Sequence, residues 1–183
     1  MVTQNTASRT IAIGDIHGCA KALDALIDAI KPGPNETIVT LGNHIDRGPN
    51  SKAVVDRLIG LGKRSKLVPL MGDHEEMILD ALGDVTKLES WFRCSGKATL
   101  RSYGWQPGSA KRALKDWLPE RHQQFLSGCQ LYHETHSHQF VHAGYIPNLP
   151  INKQPATASD DNTVAIVFNM QSDLICRSRP MNK

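Results

Sequence analysis

Three short apolar runs organise the first half of the chain, each ending in glycine plus a polar residue and each followed by a stretch of helical period. Thr10 to Ile13 ends in Gly14-Asp15, and Ala20, Leu23, Leu26, Ile27 and Ile30 then recur at the spacing of one helix face. After the turn-forming Lys31-Pro-Gly-Pro-Asn35 the pattern repeats: Thr37 to Leu41 ends in Gly42-Asn43, and Val54, Val55, Leu58, Ile59 and Leu61 predict a second helix. The third run, Lys66 to Met71, ends in Gly72-Asp73 and passes into a helix over Glu75 to Leu82. Pro69 weakens the evidence for a strand there, because proline donates no ladder hydrogen bond. Strands alternating with helices predict an α/β fold with a mainly parallel sheet. Functional groups in such sheets collect where strands run out into helices, and all three polar turns fall there.

Beyond residue 83 the pattern weakens. Residues 83–135 read as helices and loops carrying Trp91, Trp105 and Trp117, and a further strand, Gln139 to Ala143, ends in His142-Ala-Gly. The polar stretch after Pro150 reads as a loop or disordered segment, leaving only Val164 to Phe168 as a last strand. The expected division is one domain over residues 1–150 and a divergent, partly disordered tail over 151–183. A length of 183 residues with 40% apolar composition fits one core rather than two.

Charge changes this picture little. The 21 basic and 18 acidic residues are interspersed, without the basic runs of a nucleic-acid surface, so no nucleic-acid partner is expected. Cys19, Cys94, Cys129 and Cys176 form no Cys-x-x-Cys pair, which excludes a zinc ribbon or thioredoxin motif and predicts reduced, mostly buried thiols. Residues 1–9 lack an apolar stretch of signal-peptide length, and no run approaches the roughly 18 apolar residues of a membrane span. A cytoplasmic protein without a membrane partner is expected.

The polar turns carry chemistry. Asp15 and His17, flanked by Gly14 and Gly18, place a carboxylate and an imidazole where both can converge on one metal ion; an aspartate capping a turn is the plainer alternative. Gly42-Asn-His-Ile-Asp-Arg-Gly48 adds Asn43 as an oxygen ligand, Asp46 to orient a histidine and Arg47 as a bidentate phosphate clamp, or else an Asp46–Arg47 surface pair. In Gly72-Asp-His-Glu75, Asp73 is a further ligand or a helix cap, and His74 can protonate a leaving alkoxide. His142 is the later histidine at a strand end. With His142, the histidines at 133, 136 and 138 could form a metal cluster of their own, but His133, His136 and His138 read more simply as partly exposed strand residues.

Together these motifs resemble the calcineurin-like metallophosphoesterases, most closely the bacterial and phage serine/threonine protein phosphatases among them. The likeness covers about residues 10–150 and includes Trp91-Phe-Arg-Cys-Ser-Gly-Lys and Ser102-Tyr-Gly. It implies a β-sandwich flanked by helices, its second half incomplete in a chain of this length. It also implies two divalent cations, manganese or iron with zinc, that activate a water for in-line attack on phosphorus. By the resemblance Asp15 and His17 hold the first cation. Asn43 stands where the family has an aspartate bridging both ions, Asp73 where it has an asparagine on the second, and His142 also binds the second. His74, oriented by Asp46, is then the general acid, and Arg47 contacts the phosphate.

Three departures bear on the metal site. Asn43 removes the bridging anion while Asp73 restores one charge at another strand end, and no histidine follows His142 to supply a further ligand. Asp160, Asp161, Asp173 and Cys176 are the remaining candidates for it. The implied activity is hydrolysis of phosphomonoesters on a phosphorylated protein. The alternatives are a silent homologue that binds metal or a phosphorylated partner, and a dinucleoside polyphosphate hydrolase, a related branch with the same opening motif.

Overall fold

The three predicted βα units fold in parallel register. In the computed structural model, which describes residues 8–109, 112–144, 149–153, 166–169 and 175–176, strands β1 (Thr10–Ile13), β2 (Thr37–Thr40) and β3 (Lys66–Pro69) lie in the order β1-β2-β3. Thr10 stands opposite Thr37, and Thr37 opposite Lys66. Each strand leads into its helix: α1 (Ala20–Ile30), α2 (Ser51–Gly62) and α3 (Asp73–Gly83). The central strand is buried on both faces, as parallel sheets require. Ile38 packs with Ile13, Leu23, Leu58 and Leu61 beneath α1 and α2, whereas Val39 faces Leu41, Leu70 and Phe140. Phe140 belongs to a second sheet, so Val39 marks the contact between two layers.

Pro69 is accommodated because β3 is an edge strand and proline is its last residue. Its carbonyl accepts from Gln130 N at 2.8 Å, and Met71 N donates back to Gln130 O at 2.7 Å. The loop before the second sheet is thereby tied to the first.

The second half supplies the second layer of the expected β-sandwich, and that layer is antiparallel. Helices α4 (Leu88–Arg93), α5 (Gly96–Ser102) and α6 (Glu120–Ser127) pack on α2 and α3 around Ile45, Val55, Ile78 and Trp91. The chain then enters an antiparallel sheet, β4 (Tyr132–Glu134), β5 (His138–Val141), β6 (Ile166–Asn169) and β7 (Ile175–Cys176), in that order. β5, which leads to His142, therefore lies in this second layer and pairs antiparallel with β4 and β6. Two of these strands were not foreseen, β4 with three residues and β7 with two. Neither is long enough for a period-two pattern to stand out. The expected last strand, Val164 to Phe168, falls on β6 at Ile166–Asn169, with 164 and 165 outside the described residues.

The expectation of mostly buried cysteines is also corrected. Cys19, Cys94 and Cys129 are free thiols, but only Cys129 is buried. Cys19 precedes α1 and Cys94 ends α4, at helix termini that face solvent. Among the described residues no helix is long and apolar enough to cross a membrane.

Candidate active site

The polar strand ends are stapled to one another before any side chain contributes. Ile16 N and His17 N both donate to Asn43 O, at 3.0 and 2.8 Å, and Gly18 N donates to His44 O at 2.9 Å. The turns bend through unusual backbone: His17 (φ 43°), Asn43 (φ 53°), Asp46 (φ 67°) and Arg47 (φ 59°) all adopt left-handed conformations. Such a conformation costs of order 1 kcal/mol or more for a side-chain-bearing residue and gathers at functional sites. Gly48 is obligatory here, since a Cβ on it would meet His17 O at 1.9 Å.

Glu75 holds the second and third turns together. Its buried carboxylate accepts from Asn43 N (2.8 Å), His44 N (2.9 Å) and Gly72 N (3.0 Å). Burial pushes its pKa up, but the adjacent His44 and these amides pull it down to about 2, so it stays ionised. The N-cap of α3 is Gly72 rather than Asp73, which leaves the Asp73 carboxylate free to face the second sheet.

Within this frame the donors form two pairs. Asp15 Oδ2 lies 3.4 Å from His17 Nε2, and Asp73 Oδ1 lies 3.2 Å from His142 Nε2. In both pairs Nδ1–H donates to a backbone carbonyl, His17 to Ile45 O at 2.9 Å and His142 to Leu41 O at 2.5 Å. A carbonyl can only accept, so each Nε2 carries the lone pair when the ring is neutral, and it points at a carboxylate. Burial raises the Asp15 pKa, yet the neighbouring His17 and Asn43 bring it below the ordinary value. The Asp73 carboxyl is held well below the usual range by His142. Both histidines are pushed down by burial and raised further by their partners, to a net rise.

Asn43 and His74 occupy the ground between the pairs. Asn43 Nδ2 donates to Asp15 Oδ2 at 3.3 Å, while its Oδ1 accepts from His74 N at 3.3 Å. The His74 ring stands edge-on to His17, centroids 4.9 Å apart, with Nε2 at 3.9 Å from Asp73 Oδ2. Its Nδ1 donates to Asp46 Oδ2 at 2.7 Å. Asp46 is fully buried, so the surface Asp46–Arg47 pair does not form. Arg47 is exposed on the rim, its charge close enough to His17 to oppose protonation there.

Does this donor set fit a cation? Among the described residues no three His, Cys, Asp or Glu side chains already surround one point; two pairs stand side by side instead. Two buried imidazole nitrogens lack a hydrogen-bond partner, His44 Nδ1 near Glu75 and His17 Nε2 near Asp15, and of these only His17 Nε2 lies among the paired donors. A metal ion would satisfy His17 Nε2 together with the Asp15 carboxylate, and mixed nitrogen and oxygen donors suit manganese, iron or zinc. The residues fit.

Asp15, His17, Asn43, Asp46, Asp73, His74 and His142 gather here, and Arg47 lies at the rim. His133 and His138 stack near Phe140 instead. Asp160, Asp161 and Asp173, and the side chain of Cys176, lie outside the described residues. The sequence reading missed the cross-tie made by Glu75, the buried His44 beside it, and the donors Trp91 and Thr99 on Asp46. For Glu75 a signal existed, an acid three residues into α3 that reaches back to the cap. For Trp91 and Thr99 no spacing rule applies.

Comparisons with known proteins agree on the broad family. A family model described as calcineurin-like phosphoesterase matches residues 8–175. The symmetrical bis(5'-nucleosyl)-tetraphosphatase of Acidovorax ebreus (strain TPSY) is 31% identical over 153 residues, 83% of this chain and 50% of that protein. Its namesake from Nitrosomonas europaea is 31% identical over 159 residues, 85% of this chain and 52% of that one. A solved crystal structure assigned as a diadenosine tetraphosphatase aligns with a TM-score of 0.52 at 22% identity, covering 82% of this chain and 57% of its own, a likeness of fold. The chain thus spans about half the length of the curated relatives it matches. Their names match the dinucleoside polyphosphate alternative rather than the protein phosphatase expected first.

Proposed function

This chain belongs to the calcineurin-like phosphoesterase family, and from that premise we propose that it is a metal-dependent hydrolase of a dinucleoside polyphosphate rather than of a phosphorylated protein. The names of its relatives support the substrate class. The observation that carries the hydrolytic reading is His74, buried against Asp46 with its Nε2 3.9 Å from Asp73 Oδ2 and its ring edge-on to His17.

In this reading Asp15 and His17 would hold one divalent cation and Asp73 and His142 the other, with Asn43 offering a neutral oxygen. Manganese is the ion to test first. When bound, the cations polarise phosphoryl oxygens and lower the pKa of water. His74 Nε2 delivers a proton to the departing phosphate oxygen, while Asp46 accepts from Nδ1 and stabilises the charged ring. Arg47 pairs with non-reacting phosphate oxygens, its planar guanidinium suited to bidentate contact.

The test is release of ADP from diadenosine tetraphosphate with added manganese, beside parallel assays on a phosphoserine peptide and p-nitrophenyl phosphate. Turnover of the tetraphosphate is expected to dominate, to stop with chelator, and to fall about 10²- to 10⁴-fold in kcat in His74→Asn. Faster hydrolysis of the peptide would restore the protein phosphatase reading. A second reading, a silent homologue, draws on the neutral amide of Asn43 at the centre of the donor set; manganese binding without turnover of any substrate would establish it.

A further inference from the structure

Trp91 has no part in the chemistry proposed above, yet it is the largest fully buried side chain among the described residues, and its one polar atom is aimed at the site. The indole Nε1–H donates to Asp46 Oδ2 across 2.7 Å, the same oxygen that accepts from His74 Nδ1 at 2.7 Å. The other carboxylate oxygen accepts from Thr99 Oγ1. That hydroxyl in turn accepts the Asp46 N–H at 2.9 Å and lies 2.9 Å from Ser51 Oγ.

The arrangement goes beyond packing. A fully buried carboxylate is costly unless its lone pairs are met by donors, and Asp46 has no arginine or lysine beside it in this network. Trp91 from α4, Thr99 from α5 and His74 from α3 supply three hydrogen bonds from three elements, which leaves the carboxylate one orientation. The indole is itself fixed from behind: a Cβ on Gly96 would come within 2.4 Å of its ring. Since Trp91 and His74 share one oxygen, the place of the indole N–H decides where the imidazole sits.

We infer that Trp91, seconded by Thr99, is a positioning residue for proton transfer: it locks the Asp46 carboxylate so that His74 keeps Nδ1–H on Asp46 and presents Nε2 to the substrate. The inference rests on the proposed role of His74. It also gives the Trp91 segment, part of the resemblance noted in the sequence, a task at the reacting centre rather than in the core alone.

The decisive experiment replaces Trp91 by 3-benzothienylalanine, which substitutes sulfur for the indole N–H at nearly the same shape, with Thr99→Val and Trp91→Phe alongside. Two readouts are needed: kcat and KM on diadenosine tetraphosphate with manganese, and the NMR resonance of the His74 Nδ1 proton in the metal-free chain. Loss of a hydrogen bond to a charged group predicts a fall in kcat of about 10- to 100-fold with KM within about twofold. The Nδ1 proton is expected to move upfield or exchange away, with Tm within a few degrees of native. Unchanged kcat and resonance overturn the inference, and so does a loss of kcat that only follows a lowered Tm. If the native chain turns over no substrate the hydrolytic reading has failed. The resonance then decides alone: a shift supports the positioning role and an unmoved signal overturns it.

Discussion

The two halves of the molecule reach the site by different routes. Residues 10–83 deliver their groups in turns, Asp15 with His17, Asn43 with Asp46 and Arg47, and Asp73 with His74, each set clustered just beyond a parallel strand. The later half delivers single side chains from separate elements: Trp91 from α4, Thr99 from α5 and His142 beyond β5. In the first half geometry is written into local backbone, in left-handed residues and in glycines that admit no Cβ. In the second it depends on how sheet and helices dock. The local half should therefore keep its donors in place when the seam loosens, whereas Trp91, Thr99 and His142 should fail with the seam.

The largest expected effect comes from wedging that seam open. Gly42 has φ 97°, and a Cβ there would lie 2.6 Å from His142 Nδ1 and 2.8 Å from Gly72 N. Gly42→Ala combines backbone strain with overpacking and is expected to destabilise the fold by about 4 kcal/mol, read from urea unfolding. In the fraction still folded, the His17 hydrogen bond to Ile45 should survive while that of His142 to Leu41 is lost, as ring nitrogen shifts would report. An unchanged unfolding midpoint would mean that the two layers do not depend on contact at this point.

The same contrast explains what could be read from the sequence. β1 and the helices after each strand were legible because a change of period and a terminal Gly-Asp or Gly-Asn are local signals, and the donors were legible because the turns hold them. Of the antiparallel sheet only β5 and β6 were legible: three-residue β4 and two-residue β7 carry no pattern of their own. Trp91 meets Asp46 across 45 residues and His142 meets Asp73 across 69, separations that only tertiary packing brings together. Asp46 shows the consequence at one position. It lies in a polar loop by sequence, yet the donors from α4 and α5 allow it to be fully buried.

An intermediate effect is expected from a change confined to the local half. Asp15 and Asp73 together carry two negative charges, which balance a single divalent cation. The native chain in phosphate-free buffer should accordingly hold one manganese ion well and a second weakly. Asn43→Asp adds a carboxylate between the pairs, at a left-handed position that aspartate tolerates. Affinity for the second ion should rise at least about 10-fold, with spin coupling between two manganese ions visible by electron paramagnetic resonance and little change in unfolding. Two equally tight ions in the native chain would show that carboxylate charge is not what limits occupancy.

The smallest effect lies on the seam away from the site. Asp56 on α2 accepts from Lys52 Nζ at 2.8 Å, Arg121 at 2.5 Å and His122 Nε2 at 2.9 Å, and His122 Nδ1 meets the Tyr103 hydroxyl at 2.8 Å. Burial pushes the Asp56 pKa up, but Lys52, Arg121 and His122 hold it well below the ordinary 3.8. Burial, together with the charges of Arg121 and Lys52, holds His122 below 6.5 against the pull of Asp56. Both shifts are downward, so the unfolded chain takes up each proton first: stability present above about pH 6.5 is lost in part as His122 titrates, and further below pH 3.8 as Asp56 does. Because Asp56 is about one-third exposed, at 32%, Asp56→Asn should cost under about 1 kcal/mol at pH 7. It should also flatten the fall in stability below about pH 4, measured by urea unfolding at each pH. Hydrolysis at pH 7 should not change, because no atom of this network touches Asp46 or His74. A fall in kcat at full stability would show that the outer seam also sets the Trp91–Asp46 contact, and the division between a local and a docked half would then run deeper into α2 than the strand ends imply.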